Sequence, residues 1–362
     1  MPTTTLKPLR IGDLELDFPV VQAALSGYSD TAMRLIARRL GASYTLCEVM
    51  LDKLILQVRK RQRTHHLMHV DEEEHPVAGQ LMGADPLQFG PAALRLVEQG
   101  FDVIDINFGC PVKKVLGRCR GGFHLSQPAV ALEIISRVRE AIPPHIPVTV
   151  KMRRGIDDSQ ESREKFFTIF DGAYGAGAAA ITVHGRTVTQ RYDGPSRWEF
   201  LRELKEYAGE RVVLGSGDLF DARACLEMID YTGVDGVTVA RGAIGNPWVF
   251  SQARALASGL PLPAPPTLFE QRDVIAEHYR LAEELYGPDR CLPNMRKFGI
   301  KYSGLHPQGN EVRADFCTVK QPGAWRDVLA KWYSVDGPGM YPKVEEPNPL
   351  SAAVNPACVS AF

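Results

Sequence analysis

Short β-branched runs alternate with amphipathic stretches along most of this chain, and that alternation decides the fold class. Apolar strand-like runs fall at residues 19–24, 44–47, 77–82, 103–107, 148–152, 180–184, 211–215 and 236–240. Helical patterns, apolar at i, i+3 and i+4, lie between most of them, at residues 86–99, 128–141, 163–174, 198–207 and 222–230. Strands alternating with helices imply a parallel sheet with right-handed crossovers. Eight units of roughly 30 residues, in about 240 residues overall, fit a (β/α)8 TIM barrel. A doubly wound open sheet competes, but the Gly-x-Gly-x-x-Gly turn of a dinucleotide fold is missing after the first strand. The second unit is irregular: residues 51–63 read as a helix, followed by a charged, mobile loop through His75.

The flanks divide the chain further. Ile11-Gly12-Asp13-Leu14-Glu15-Leu16 suggests a hairpin, so residues 1–18 precede a barrel at 19–256. Leu260-Pro261-Leu262-Pro263-Ala264-Pro265-Pro266 cannot be helical throughout and reads as part of a linker over 257–267. Residues 268–286, 294–303 and 325–333 look helical and make a small all-α domain over 268–335. Residues 336–362 are rich in Pro and small side chains and read as an irregular tail.

Composition excludes several classes. With 44% hydrophobic and 23% charged residues, the chain can bury a large core and is not mainly disordered. No apolar run reaches the ~18 residues of a membrane span, and the N-terminus lacks an apolar signal region. Seven cysteines without a C-x-x-C pair argue against a disulfide framework and for a reducing, cytoplasmic setting. The formal net charge is −1, so a nucleic-acid partner must be held by local basic patches.

In such a barrel the chemistry sits at the C-terminal strand ends. The fourth strand leads into Asp105-Ile106-Asn107-Phe108-Gly109-Cys110-Pro111, which puts a cysteine on a sharp turn at the mouth. A small residue filling a tight turn and a chemical thiol both fit that position. The fifth strand ends Lys151-Met152-Arg153, and alternation sends both cations to one side. Two buried cations are expensive unless they meet an anion or an electron-rich ligand. The sixth ends His184-Gly185-Arg186 and adds an imidazole. The seventh and eighth end Gly215-Ser216-Gly217-Asp218 and Ala240-Arg241-Gly242. Glycines there let backbone N–H groups approach a phosphate, and Arg241 supplies the countercharge.

Taken in order, these segments resemble the tRNA-dihydrouridine synthases. The match includes Ile106–Pro111, Val148-Thr149-Val150-Lys151-Met152-Arg153, Val183-His184-Gly185-Arg186-Thr187 and Tyr192-Asp193-Gly194. It continues through Gly215–Asp218, the run from Val239 to Trp248, and Gln80-Leu81-Met82-Gly83. It runs from about residue 20 to residue 250. The resemblance implies an FMN-containing barrel with a helical tRNA-binding domain, reducing the C5–C6 bond of selected uridines with NADPH as electron source. It makes Cys110 the proton donor to C5. It assigns Gln80, Lys151 and His184 to FMN, together with the first-strand residues Ala23, Ala24 and Leu25. It rests the phosphate on Ser216, Gly217, Asp218, Ala240 and Arg241. Asn107, Lys151, Arg153 and Tyr192 would line the uracil. A thiol of pKa ~8.5 is still protonated at pH 7, as a general acid must be.

Three segments depart from the family pattern: Ala23-Ala24-Leu25 stands where Ala-Pro-Met is usual, Ser216 where Asn is usual, and Gly121-Gly122-Phe123-His124-Leu125 beside the active-site loop. Two basic clusters suit an RNA backbone. One holds Lys53, Arg59, Lys60, Arg61 and Arg63 with no acid; the other spans residues 290–331, where Lys297, Lys301 and Arg313 are expected tRNA contacts. Solvated helix faces would look the same. No metal site is expected: His65, His66, His69 and His75 share a charged loop that fixes no ligand geometry. Glu48 either hydrogen-bonds near the mouth or is structural. The chain is expected to work as a monomer. Two rivals remain: an FMN barrel acting on a free dihydroorotate- or dihydropyrimidine-like molecule, and a non-catalytic RNA-binding relative.

Overall fold

The computed structural model describes residues 6–57 and 65–343. Strands β1 (Leu9–Ile11) and β2 (Leu14–Leu16) form the expected antiparallel hairpin. The barrel follows as β3 (Val20–Gln22), β4 (Thr45–Leu46), β6 (Val77–Met82), β7 (Val103–Phe108), β8 (Val148–Arg153), β9 (Ala178–His184), β10 (Val213–Ser216) and β11 (Gly236–Val239). All pair in parallel, and β11 returns to β3, which closes the ring. A two-residue strand, β5 (Met50–Leu51), adds to β6 outside this set. Each of the eight expected strands is present, with differences only at the ends.

Strand parity sorts the side chains into two environments. Val21, Leu46, Ala78, Val103, Ala180 and Leu214 meet Leu9, Ile11 and Leu16 of the hairpin in one apolar cluster, which floors the barrel. Residues of the opposite parity, such as Val20, Ile104, Val150 and Val237, pack against the outer helices. Further along the inward parity the residues turn polar: Gln80, Asp105, Thr149, Lys151, Arg153, His184 and Ser216. The floor is therefore greasy and the mouth polar, so the site can only be at the mouth.

The outer helices begin where short polar residues cap them. Asp30, Asp85, Ser159 and Asp221 each accept a first-turn N–H, worth about 1 kcal/mol apiece. Ser159 explains why one helix starts at Gln160 rather than at 163. Fully buried Phe166, Phe170 and Leu201 face the sheet, each contributing roughly 1.5–3 kcal/mol by burial.

After residues 260–267, which carry no helix or strand, four helices follow: Leu268–Tyr286, Pro288–Tyr302, Gly309–Thr318 and Pro322–Trp332. The second begins six residues earlier than expected, because it runs straight through Pro293. The third was not expected at all. Its cap residue, Gln308, makes no capping hydrogen bond, and its buried face is only Val312 and Phe316. These helices share the barrel's apolar core through Ile275, Met295 and Phe298. Polar ties add to this: Tyr286 donates to Asp30 at 2.8 Å, and Arg39 pairs with Glu277 at 2.7 Å.

The irregular second unit needs correction. Within the described residues a helix covers Asp52–Gln57; the rest of the expected helix, with Arg59, Lys60, Arg61 and Arg63, lies outside them. The charged loop through His75 is anchored. It holds a short helix at His65–Met68 and a 3-10 turn at Glu72–Glu74. Glu74 is fully buried against Arg34, which also donates to the His69 carbonyl at 3.1 Å. Breaking such a buried pair from one side would cost about 3–5 kcal/mol. His75 is engaged with Asp102 at 2.8 Å. Among the described residues no helix is long and apolar enough to cross a membrane.

Candidate active site

The mouth is organised around the turn after β7. Cys110 is half-buried there, and its backbone is held on both sides. Its N–H and that of Gly109 donate to Asn107 Oδ1 at 3.1 and 3.0 Å. Arg153 Nε donates to the Gly109 carbonyl at 3.0 Å. On the far side Gly122 N–H donates to the Cys110 carbonyl at 3.1 Å. Gly121, at φ +57°, lies so close that a Cβ there would come within 2.8 Å of Cys110 Cβ. This is the physical meaning of the Gly121-Gly122 pair: only glycine lets the second loop close on the cysteine. His124 fastens that loop by a 3.0 Å bond to the Gly83 carbonyl. Burial pushes the Cys110 thiol above the ordinary thiol range, against the pull of Arg153. The thiol is therefore protonated at neutral pH, a proton source rather than a nucleophile.

Asn107 is oriented by a relay that the sequence did not reveal. Thr149 Oγ1 and Gln80 Nε2 both donate to Asp105, at 2.6 and 2.7 Å. Asn107 Nδ2 donates in turn to Gln80 Oε1 at 2.8 Å. An acceptor-only carboxylate at one end and two backbone N–H groups at the other dictate the same direction for both amides. Asn107 is left with one free N–H and no spare acceptor, so it can read a carbonyl oxygen but not an amino group. The D-x-N spacing on one strand face was the available signal.

Across the mouth stand the cations. Among the described residues Lys151 has a single hydrogen-bond partner, Ser216 Oγ at 3.4 Å. Burial lowers its pKa to about 8, opposed by Asp105. Arg153 is buried, with carbonyl partners at Thr187 and Arg191, each 2.7 Å away, and burial brings it down to about 10. His184 is held well below the ordinary imidazole range by burial and by Lys151, Arg153, Arg186 and Arg241. It is neutral, and Arg186 N–H donates to its Nδ1 at 3.1 Å, so Nε2 carries the proton. Tyr192, exposed, lies beneath both Arg153 and Arg241, at 5.6 and 4.9 Å from guanidinium to ring centre.

The seventh and eighth loops interlock. Gly242 faces the backbone of Leu219 and Phe220 so closely that a Cβ there would lie 2.2 Å from the Leu219 carbonyl oxygen. Gly217, at φ +120°, has room for no Cβ beside Ser196. The N–H groups of Gly217, Asp218, Arg241 and Gly242 donate to nothing among the described residues. The hydroxyl of Thr238 and both amide atoms of Asn246 are buried without hydrogen-bond partners among the described residues. Free N–H groups beside an arginine, with the half-buried Lys151 ammonium behind them, fit an anionic, phosphate-bearing cofactor. Asp218 offers only its backbone: its carboxylate is taken by Arg186 and by Ser196 N–H at 2.7 Å. Ala23 is buried with its N–H on Val239, whereas Ala24 and Leu25 are partly exposed at the rim, and Ala240 precedes the Arg241–Ala243 turn.

The expected RNA residues divide. Lys301 and Arg313 are exposed, and neither pairs with a carboxylate among the described residues. Lys297 is half-buried, and its ammonium is given to the Gly27 carbonyl, whose own N–H donates to Glu48. It ties the helical region to the first-strand loop. Glu48 thus has a structural bond at the mouth. A basic stretch that the sequence reading passed over lies beside Cys110: Lys113, Lys114, Arg118 and Arg120, without an acid among them. The first three are exposed.

Comparison with known proteins agrees with this geometry. A family model described as dihydrouridine synthase matches residues 21–331. A Mycobacterium tuberculosis protein named "Probable tRNA-dihydrouridine synthase" is 36% identical over 321 residues, covering 86% of this chain and 81% of its own length. A Rickettsia prowazekii protein of the same name is 35% identical over 327 residues, covering 90% and 97%. Among solved structures, a morphinone reductase matches with a TM-score of 0.52 at 16% identity, over 72% of this chain and 91% of that one. A histamine dehydrogenase from a Rhizobium species matches with a TM-score of 0.53 at 15% identity, over 76% and 51%. Likeness at that level speaks to the barrel fold alone.

Proposed function

The chain belongs to the dihydrouridine synthase family, and from that premise we propose how its own residues serve the reaction. It is an oxidoreductase that converts uridine in tRNA to dihydrouridine, and its cofactor is a flavin. We take the flavin to be FMN, with NADPH as its electron source. When bound, the flavin supplies hydride to C6 of the uracil. The free N–H groups of Gly217, Asp218, Arg241 and Gly242, with the Arg241 guanidinium, hold its phosphate. Lys151 and the Nε2–H of His184 would hold the ring of the bound flavin as hydrogen-bond donors.

The protein's other residues deal with the substrate. Asn107, with its single outward N–H, and Arg153 donate to the uracil oxygens, and Tyr192 covers the mouth. Hydride addition at C6 leaves negative charge toward C5. Cys110 gives its proton to C5, and the resulting thiolate recovers a proton from solvent. A uracil can reach this site only when extruded from the folded RNA. Exposed cations on the helical region and beside Cys110 would take phosphates on either side of the mouth. The same chain thus supplies both surfaces, which supports action as a monomer; light scattering checks this.

The observation that carries this reading is the braced, protonated Cys110 thiol. Its test separates two half-reactions. Cys110→Ala should retain flavin and be reduced by NADPH at the wild-type rate, yet form no dihydrouridine in an unmodified tRNA transcript. If flavin reduction is lost instead, Cys110 has another role. Turnover of free uracil or orotate without RNA would favour a small-molecule enzyme.

A further inference from the structure

Arg186 is wholly buried and forms no part of the reading above. Its guanidinium makes four contacts to two partners. Nη1 and Nη2 meet the two carboxylate oxygens of Asp218 at 2.7 and 2.8 Å. Nε and Nη2 meet the Gly194 carbonyl at 2.9 and 2.5 Å. Asp218 is the residue between two arginines: Arg241 Nη2 lies 3.6 Å from the same oxygen that Arg186 holds. Asp218 is also fixed at φ +58°, a left-handed conformation rarely adopted outside glycine.

The electrostatics are then unambiguous in sign. A carboxylate 3.6 Å from Arg241 competes with any anion for that cation and repels the anion directly. A bidentate guanidinium–carboxylate pair is the strongest arrangement available to neutralise it. We propose that Arg186 is a positioning residue for cofactor binding: it takes both Asp218 oxygens in a bidentate pair and keeps Arg241 to a 3.6 Å contact beyond hydrogen-bond distance, which leaves the Arg241 guanidinium available to the cofactor phosphate. The same guanidinium, through Gly194, ties the Tyr192 segment to that loop. The proposal rests on the assignment of Arg241 to a phosphate.

Riboflavin, which lacks the phosphate, makes the test selective. Apoprotein is titrated with FMN and with riboflavin, following flavin fluorescence. In Arg186→Met, Asp218 is released to pair with Arg241. FMN affinity should fall about tenfold more than riboflavin affinity, one lost charge-assisted contact being worth roughly that factor. Adding Asp218→Asn to Arg186→Met should restore most of the loss. Asp218→Asn alone, which leaves the two Gly194 contacts of Arg186 in place and whose folding is checked by its melting temperature, should tighten FMN relative to riboflavin. A purely structural Arg186 would weaken both flavins equally, and no second substitution at 218 would rescue FMN; that pattern overturns the proposal. Weaker FMN binding in Asp218→Asn alone overturns it too. If Arg241→Ala does not discriminate between the flavins, the phosphate assignment fails instead, and the two failures are distinguished.

Discussion

Arg241→Ala is the sharpest perturbation of the cofactor assignment. The guanidinium lies over the Phe220 and Tyr192 rings, with centroid distances of 5.0 and 4.9 Å, which leaves it little freedom to leave the mouth. A unit charge at 4 Å in a partly solvated site interacts by about 4 kcal/mol at an effective dielectric of 20. Two features of the structure reduce this. The Arg241 side chain is 43% exposed, so solvent screens it, and the Asp218 carboxylate stands 3.6 Å away. The neighbouring N–H groups of Gly217, Asp218 and Gly242 also survive the substitution. The remainder is on the order of 1.5–2 kcal/mol, or about 10–30-fold in affinity. The assay is titration of apoprotein with FMN and with riboflavin at fixed ionic strength. FMN affinity should fall by that factor while riboflavin affinity stays within about twofold, since no phosphate contact is at stake. Equal losses for the two ligands, or no loss for FMN, would refute the argument.

Other outcomes follow from the same site. The Lys151 ammonium titrates at about 8 in the free protein, lowered chiefly by burial. If the protonated form binds flavin, affinity should be flat below that pH and fall as pH rises through it; the Lys151→Met variant should lack this dependence, which flavin titrations across pH 7 to about 9.5 will reveal. Because burial raises the Cys110 thiol, single-turnover oxidation of the reduced protein by tRNA should persist above the ordinary thiol pKa of ~8.5 and decline only at higher pH. Decline below pH 8 would mean that the thiol is not the acid. Replacing Lys301 and Arg313 with Ala should weaken tRNA binding and flatten its salt dependence by roughly one unit of slope per lost phosphate contact, leaving NADPH oxidation unchanged. Lys297→Ala should instead lower thermal stability, since its ammonium holds the Gly27 carbonyl. A variant that keeps the wild-type melting temperature and loses only RNA affinity would contradict that placement.

The barrel was legible in the sequence because period and hydrophobicity report burial directly. Lys151 and Arg153 could be placed on one side of a strand by alternation alone, and both do point into the mouth. What escaped was set by contacts between distant segments. The polarity of Asn107 depends on Asp105, Gln80 and Thr149, from three different strands. That Asp218 can offer a cofactor its N–H but not its carboxylate depends on Arg186, thirty-two positions away, which holds that carboxylate. The bond from Lys297 to the Gly27 carbonyl was hidden because a half-buried lysine at an interface is indistinguishable, in sequence, from a solvated one. The loop before His75 read as solvated because one of its four consecutive acids, Glu74, has its cation forty positions away in Arg34. The Gly309–Thr318 helix lacks the cap and the apolar stripe that announce a helix.

The central claim is that this chain reduces uridines in tRNA. The direct measurement is a map of dihydrouridine in tRNA purified from cells with the gene, cells without it, and cells carrying Cys110→Ala. The account predicts dihydrouridine at one or more defined positions in the first, and plain uridine at those positions in the other two. An identical map in all three, from a protein that nonetheless binds flavin and oxidises NADPH, would contradict it.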